Sequence, residues 1–211
     1  MAFKQLVSAL VVAGTALFAT ASPGSADTYR IVGFGDSLMA GYGLAPGESY
    51  PEKLQAALRA NGHDVTVANA SVSGDTTSGG LSRLDWSVPD DADLVVLELG
   101  ANDMLRGVSP AVTRKNLDAM ITRLKERGFD ILLAGMFAAP NLGPDYGAAY
   151  NAIFPDLAKK HGIPLYPFFL DGVTANRGML LDDGLHPNAA GIDRMVERSL
   201  PAVERFLSAG G

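Results

Sequence analysis

The sequence predicts an α/β domain: a five-stranded parallel sheet with helices on both faces. Three observations carry that prediction. Short apolar runs alternate with longer amphipathic stretches through residues 27–211. The runs are apolar at nearly every position, the pattern of strands buried on both faces. Successive runs are separated by helical stretches instead of tight turns, and such crossovers join parallel strands with a right-handed sense.

The elements follow in order. Arg30 to Phe34 is the first strand and ends in Gly35-Asp36-Ser37. Ser49 caps a helix with Pro51 in its first turn; Leu54, Ala57 and Leu58 recur at helical spacing, and Asn61-Gly62 stops it. Val65 to Ala68 is a β-branched strand leading into the polar loop Ser71 to Thr77. A short helix covers Ser78 to Leu84. Leu94 to Leu99 is the clearest buried strand, followed at once by Gly100-Ala101-Asn102-Asp103. Ser109-Pro110 opens a long helix with Val112, Leu117, Met120, Ile121 and Leu124 on one face. Ile131 to Met136 is the fourth strand. Pro140 to Gly147 reads as a loop whose prolines and glycines suit a lid. A helix around Tyr150–Lys160, a fifth strand from Ile163 to Tyr166 and a last helix from Asn188 to Leu207 complete the chain. No repeat or linker divides it, so 27–211 is expected to be a single domain.

Residues 1–26 read as a secretory signal. Lys4 is followed by the apolar and small residues Leu6 to Thr20, and Gly24-Ser25-Ala26 supplies the small residues a signal peptidase reads. The run is shorter than the roughly 20 residues of a membrane span. The expectation is cleavage near Ala26, a periplasmic or secreted location and no stable membrane insertion of the mature chain; an uncleaved anchor is the alternative.

Composition narrows the function. The formal charge is −6, with 23 acidic against 17 basic residues. That balance disfavours nucleic acid, whose binding depends on a Lys/Arg surplus. The chain has no cysteine, which excludes disulfides, thiolate metal sites and a cysteine nucleophile. Three histidines, His63, His161 and His186, make a histidine-rich metal cluster a poor prospect. No metal and no cofactor are expected, and the protein is expected to be a monomer acting on a small molecule.

Three polar clusters follow three strands: Gly35-Asp36-Ser37-Leu38, Ser73-Gly74-Asp75 and Gly100-Ala101-Asn102-Asp103. In open parallel sheets such strand ends converge on one edge, where the active site lies. A fourth cluster, Asp183-x-x-His186, precedes the last helix. Together they hold the parts for acyl transfer: a hydroxyl, an imidazole, a carboxylate and amide donors. Each part also has a plainer reading. Ser37 is either a nucleophile or the cap of a short helix. His186 is either a base oriented by Asp183 or a cap on the last helix. Gly74 is either an oxyanion donor or a turn glycine, and Asn102 either a side-chain donor or an Asx turn. Asp36 and Asp103 are expected to fix loops, and Asp182 to be a solvated charge. His161 is expected at a helix end, His63 in a loop, and Trp86 in packing or at a rim.

At these residues the chain resembles the SGNH (GDSL) hydrolases. Gly35-Asp36-Ser37-Leu38, Gly74, Gly100-x-Asn102-Asp103 and Asp183-x-x-His186 match that family's blocks in order. The resemblance implies a flavodoxin-like three-layer α/β/α sandwich. It implies Ser37 as nucleophile, His186 as base and Asp183 as acid, with the backbone N–H groups of Ser37 and Gly74 and the Asn102 side chain as oxyanion donors. It also implies medium to long acyl esters, thioesters, lysophospholipids and aryl esters as substrates. An acidic chain has no attraction for anionic CoA, so simple esters rank first. Leu38, Met39, Met104, Leu105, Phe137 and Leu142 lie in or beside the strand-end loops; an acyl groove is one reading and core packing the other for half of them.

Three rivals remain in view. One is a carbohydrate acetylesterase of the same family. Another is a non-catalytic flavodoxin-like binding module, hinted at by Gly33-x-Gly35 and Gly41-x-Gly43, neither of which completes a phosphate-binding motif. The third is a metal hydrolase using Asp182, Asp183 and His186, a poor zinc set without a second histidine.

Overall fold

A computed structural model describes Met1 and residues 28–208. The expected leader, 1–26, lies outside the described residues apart from Met1. Five strands form one parallel sheet: β1 (Tyr29–Phe34), β2 (Val65–Asn69), β3 (Leu94–Glu98), β4 (Asp130–Ala134) and β5 (Leu165–Tyr166), in the order β2-β1-β3-β4-β5. Pairing sets Val32 beside Ala68 on one side and Val95 on the other. The strand order reverses between β1 and β3, so that crevice is the topological switch point.

Among the described residues eight helices accompany the strands: α1 (Ser37–Ala40), α2 (Tyr50–Ala60), α3 (Thr77–Ser87), α4 (Ala101–Leu105), α5 (Pro110–Glu126), α6 (Pro144–Asn151) and α7 (Ile153–His161) between strands, and α8 (Ala189–Ser208) after the last. Helices α2 and α8 pack together, and α3, α5 and α7 form a second row. The result is the three-layer α/β/α arrangement. The core is what the apolar runs required: every residue of β3 is buried, Leu94 and Leu97 completely. On α8, Ile192, Met195, Val196, Ser199 and Val203 are buried at three- and four-residue steps, one face of a helix. The Ser199 hydroxyl on that face bonds Tyr50 Oη at 2.7 Å and ties α8 to α2.

Local chemistry explains the boundaries. At the start of α2, Glu52 accepts from both the N–H and the hydroxyl of Ser49, closing the first turn. Helix α5 begins at Pro110, where the missing N–H costs nothing. One region differs from the sequence expectation. Pro140–Leu142 is a 3₁₀ turn and Pro144 starts α6, so the stretch expected to be a mobile loop is mostly helical. Its prolines stand at first helical positions, where they initiate helices.

Candidate active site

The first loop is shaped by what it must avoid. Gly35 follows β1 and lies against the buried Glu98; a Cβ there would stand 2.5 Å from Glu98 Oε2 and 2.8 Å from its carbonyl oxygen. The chain then turns into α1. Asp36 Oδ1 accepts from Leu38 N–H at 3.0 Å, so Asp36 is the cap of α1 and the capping alternative for Ser37 falls away. The Ser37 hydroxyl instead meets the imidazole, its Oγ 2.9 Å from His186 Nε2.

The histidine arrives on a loop locked by its own carboxylate. Asp183 Oδ1 accepts from the N–H groups of Leu185 and His186 at 2.8 and 3.0 Å. Asp183 Oδ2 lies 2.6 Å from His186 Nδ1. The two backbone donors and then the ring hold the Asp183 carboxyl down at about 2. An ionised carboxylate only accepts, so Nδ1 donates and Nε2 presents its lone pair to Ser37. Helix α8 is capped by Asn188, whose Oδ1 accepts from Gly191 N–H, so His186 is not a cap either. The ring of Tyr42 lies over the His186 ring, with centroids 4.4 Å apart.

The donors expected for an oxyanion are arranged less uniformly. Ser37 N–H opens α1, where the helix presents unpaired N–H groups. Gly74 adopts φ +81 in a turn closed by the Asp75 N–H to Val72 carbonyl bond, and its own carbonyl accepts from Arg106 Nη2 at 2.7 Å. It is therefore a turn glycine as well as a candidate donor. Asn102 lies on α4 and donates from Nδ2 to Asp36 Oδ2 at 3.0 Å, which leaves its second amide hydrogen uncommitted by that bond.

Beneath these donors lie buried acids. Asp36 N–H donates to Glu98 Oε2 at 3.2 Å. Burial, with Asp36 close by, drives the Glu98 carboxyl well above the usual range. Burial raises Asp36 to about 6 against the opposing bonds from Leu38 and Asn102. Asp103 accepts from Thr77 N–H at 2.7 Å and from the Thr77 and Thr113 hydroxyls, which fastens α4 to α3 and α5.

A cavity of about 120 Å³ opens beside Ser37, His186 and Asn102. Leu38, Met104 and Leu105 line it, as do Met136, Leu170 and Leu185. Met39 and Leu142, expected in an acyl groove, are absent from its walls. Met39 is fully buried beneath the Ser37 turn, packed on Gly33, and Leu142 is half-buried against the core. Phe137 is exposed and pairs with Phe168. Gly74 does not line the cavity either; its loop runs beside β1, joined by the Val72 N–H to Gly35 carbonyl bond. The sequence reading missed Met136, Leu170, Leu185, Tyr42 and Glu98. Met136 and Leu170 sit beside apolar residues and look like any core, and Leu185 is a lone apolar residue inside the Asp183–His186 motif.

The remaining histidines belong elsewhere. His161 bonds Asp118 at 2.6 Å at the end of α7, and His63 faces Glu204. Among the described residues no group of three His, Asp or Glu side chains is arranged to hold a metal ion.

Comparison with known proteins follows this geometry. The model of the GDSL-like lipase/acylhydrolase family matches residues 34–194. The chain is 42% identical to an arylesterase of Vibrio mimicus over 81% of this chain and 86% of that protein. It is 38% identical to esterase TesA of Pseudomonas aeruginosa over 94% of this chain and 99% of that one. Among solved structures, AlinE4, an SGNH-hydrolase family esterase, is similar at 45% identity and TM-score 0.73, covering 86% of this chain and 98% of its own.

Proposed function

The chain belongs to the GDSL-like lipase/acylhydrolase family and is a serine hydrolase of carboxylic esters, and from that premise we propose that it works through an acyl-enzyme on Ser37. One observation carries this reading: the hydrogen-bonded line Ser37–His186–Asp183, at 2.9 and 2.6 Å, beside an apolar cavity. His186 Nε2 takes the hydroxyl proton as Ser37 Oγ bonds to the ester carbonyl carbon. The carbonyl oxygen gains the charge and is met by the N–H groups of Ser37 and Gly74 and the Asn102 amide. The tetrahedral centre collapses, the C–O bond breaks, and His186 gives its proton to the leaving alcohol. Water then attacks the acyl-enzyme, losing a proton to His186, and the second collapse returns that proton to Ser37 Oγ.

The substrate class we propose is esters with an apolar acyl group. The cavity walls beside the reacting atoms are mainly Leu38, Met104, Leu105, Met136 and Leu170, which offer nothing to a sugar hydroxyl. Thioesters and lysophospholipids are further proposed substrates, supported by 38% identity to the thioesterase 1/protease 1/lysophospholipase L1 of Escherichia coli strain K12. Two measurements on the wild-type protein test the reading. An alkyl p-nitrophenyl phosphonate is expected to release one equivalent of p-nitrophenol and leave its phosphonyl mass on the peptide containing Ser37. On p-nitrophenyl esters from C2 to C16, kcat/KM is expected to peak above C2. A maximum at C2 with release of acetate from acetylated xylan selects the carbohydrate acetylesterase, and no labelling of Ser37 removes the serine mechanism.

The same proposal extends to processing. Residues 1–26 act as a leader and the 27–211 domain is exported; the apolar run Leu6 to Thr20 with small residues before Asp27 supports the leader. The intact mass of exported protein is expected to begin at Asp27; export with Met1 retained overturns the leader.

A further inference from the structure

Arg83 lies on α3, with α2 and β2 between it and Ser37 in sequence, yet only 6% of it is exposed. A buried guanidinium is costly unless its donors are met. Here they are spent on the two loops that carry the proposed backbone oxyanion donors. Nε donates to Asp75 Oδ2 at 2.7 Å, and Nη1 donates to the Ala70 carbonyl. Those two residues bracket the loop that holds Gly74. Nη2 donates to the Gly35 carbonyl at 3.0 Å, two residues before Ser37. The guanidinium carbon stacks 4.0 Å above the Phe34 ring, which fixes the plane of the fork.

The Gly35 carbonyl belongs to the same peptide plane as the Asp36 N–H. That N–H donates to Glu98 Oε2, and the carbonyl also accepts from Val72 N–H. One peptide is therefore gripped at both ends: by a guanidinium and the Gly74 loop at its oxygen, by a buried carboxyl at its nitrogen. Two oxyanion donors on separate loops have a fixed separation only if something sets the distance between the loops. Arg83 is a buried side chain from outside both loops that touches each of them.

We propose that Arg83 is a positioning residue that sets the Gly74 N–H against the Ser37 hydroxyl and N–H. It touches no reacting atom and acts through those two loops. The proposal rests on the Ser37 reading above. The informative change is Arg83→Lys, which keeps a cation for Asp75 and loses the planar fork that reaches Ala70 and Gly35 together.

Because a shift near 1 Å in a reacting group costs about 10²-fold and a lost oxyanion donor ~10²–10³-fold, kcat is expected to fall by ~10–10²-fold. KM is expected to stay within about threefold, since the loss falls on the transition state and not on ground-state binding. Phosphonylation of Ser37 is expected to slow by the factor seen in kcat. Ethylguanidinium is expected to restore part of the kcat of Arg83→Ala. A merely structural role shows as a lower Tm with unchanged kcat per folded molecule and no rescue.

Asp75→Asn, which leaves the guanidinium but loosens its aim, decides the matter if the Arg83 variants do not fold; it is expected to lose kcat in the same sense and by less. Wild-type kcat in Arg83→Lys, or in Asp75→Asn where that variant decides, overturns the proposal, as does a loss confined to KM. If wild-type Ser37 resists phosphonylation, the Ser37 reading itself fails and the proposal falls with it; if Ser37 is labelled and the Arg83 variants keep their kcat, the proposal alone fails.

Discussion

Ser37→Ala is expected to lower kcat by ~10⁶-fold on a p-nitrophenyl ester, the scale on which a serine nucleophile and its base act as one unit. The change removes the atom that attacks and little else. Asp36 caps α1 through its own carboxylate and Leu38 N–H, so the helix start does not depend on the serine hydroxyl. The Gly74 turn and the Asp183–His186 bond are also left in place. Tm is therefore expected to stay near that of wild type, and the variant is expected to bind ester without turning it over. His186→Ala and the double variant are expected to show about the same loss, because neither group works without the other. Turnover by Ser37→Ala within ten-fold of wild type, at matched folded concentration, is incompatible with an acyl-enzyme on this residue.

What the sequence disclosed about the fold came from periodicity. β3 could be read because Leu94 to Leu97 are apolar without a break, and the structure buries all four together with Glu98. α8 could be read because its apolar residues recur at helical steps. Pro140 to Gly147 misled because proline and glycine mark both loops and helix starts, and only packing decides between them. β5 shrank to Leu165–Tyr166 at its start, where Pro164 accepts from Leu133 N–H but has no N–H of its own to give the ladder.

The site divides along a similar line. Ser37, Asn102 and the Asp183–His186 pair lie where strand ends or a short spacing put them, so local text was enough. The apolar wall was not legible, since a methionine under the nucleophile turn and a leucine on the rim look alike in sequence. Met39 went to the core and Leu185 to the cavity. Arg83 was invisible for another reason. Its meaning lies in bonds to Gly35, Ala70 and Asp75, as many as 48 positions away. Glu98 read as the end of an apolar strand, and only the register of β3 beside β1 sets its carboxyl under Gly35.

Asp183→Asn is expected to cost ~10⁴-fold in kcat, and to do at least as much harm as Asp183→Ala, because the geometry forces the amide the wrong way round. In the wild-type protein one carboxylate oxygen is already committed to the N–H groups of Leu185 and His186. An asparagine must keep its only oxygen there or leave two backbone donors unpaired. Its NH₂ then faces His186 Nδ1, which has to become the acceptor. The ring proton moves to Nε2 and points at Ser37 Oγ, so the base has no lone pair for the hydroxyl. Alanine loses the orienting bond but imposes no tautomer. The charge matters too. Asp183 stays ionised down to about pH 2, so its own contribution is complete across the working range and is lost only as the pH falls toward that value. His186 must be neutral to accept the Ser37 proton. Steady-state kinetics of both variants across pH 5 to 9 provide the check. An Asp183→Asn enzyme within ten-fold of wild type breaks the assigned role of this carboxylate.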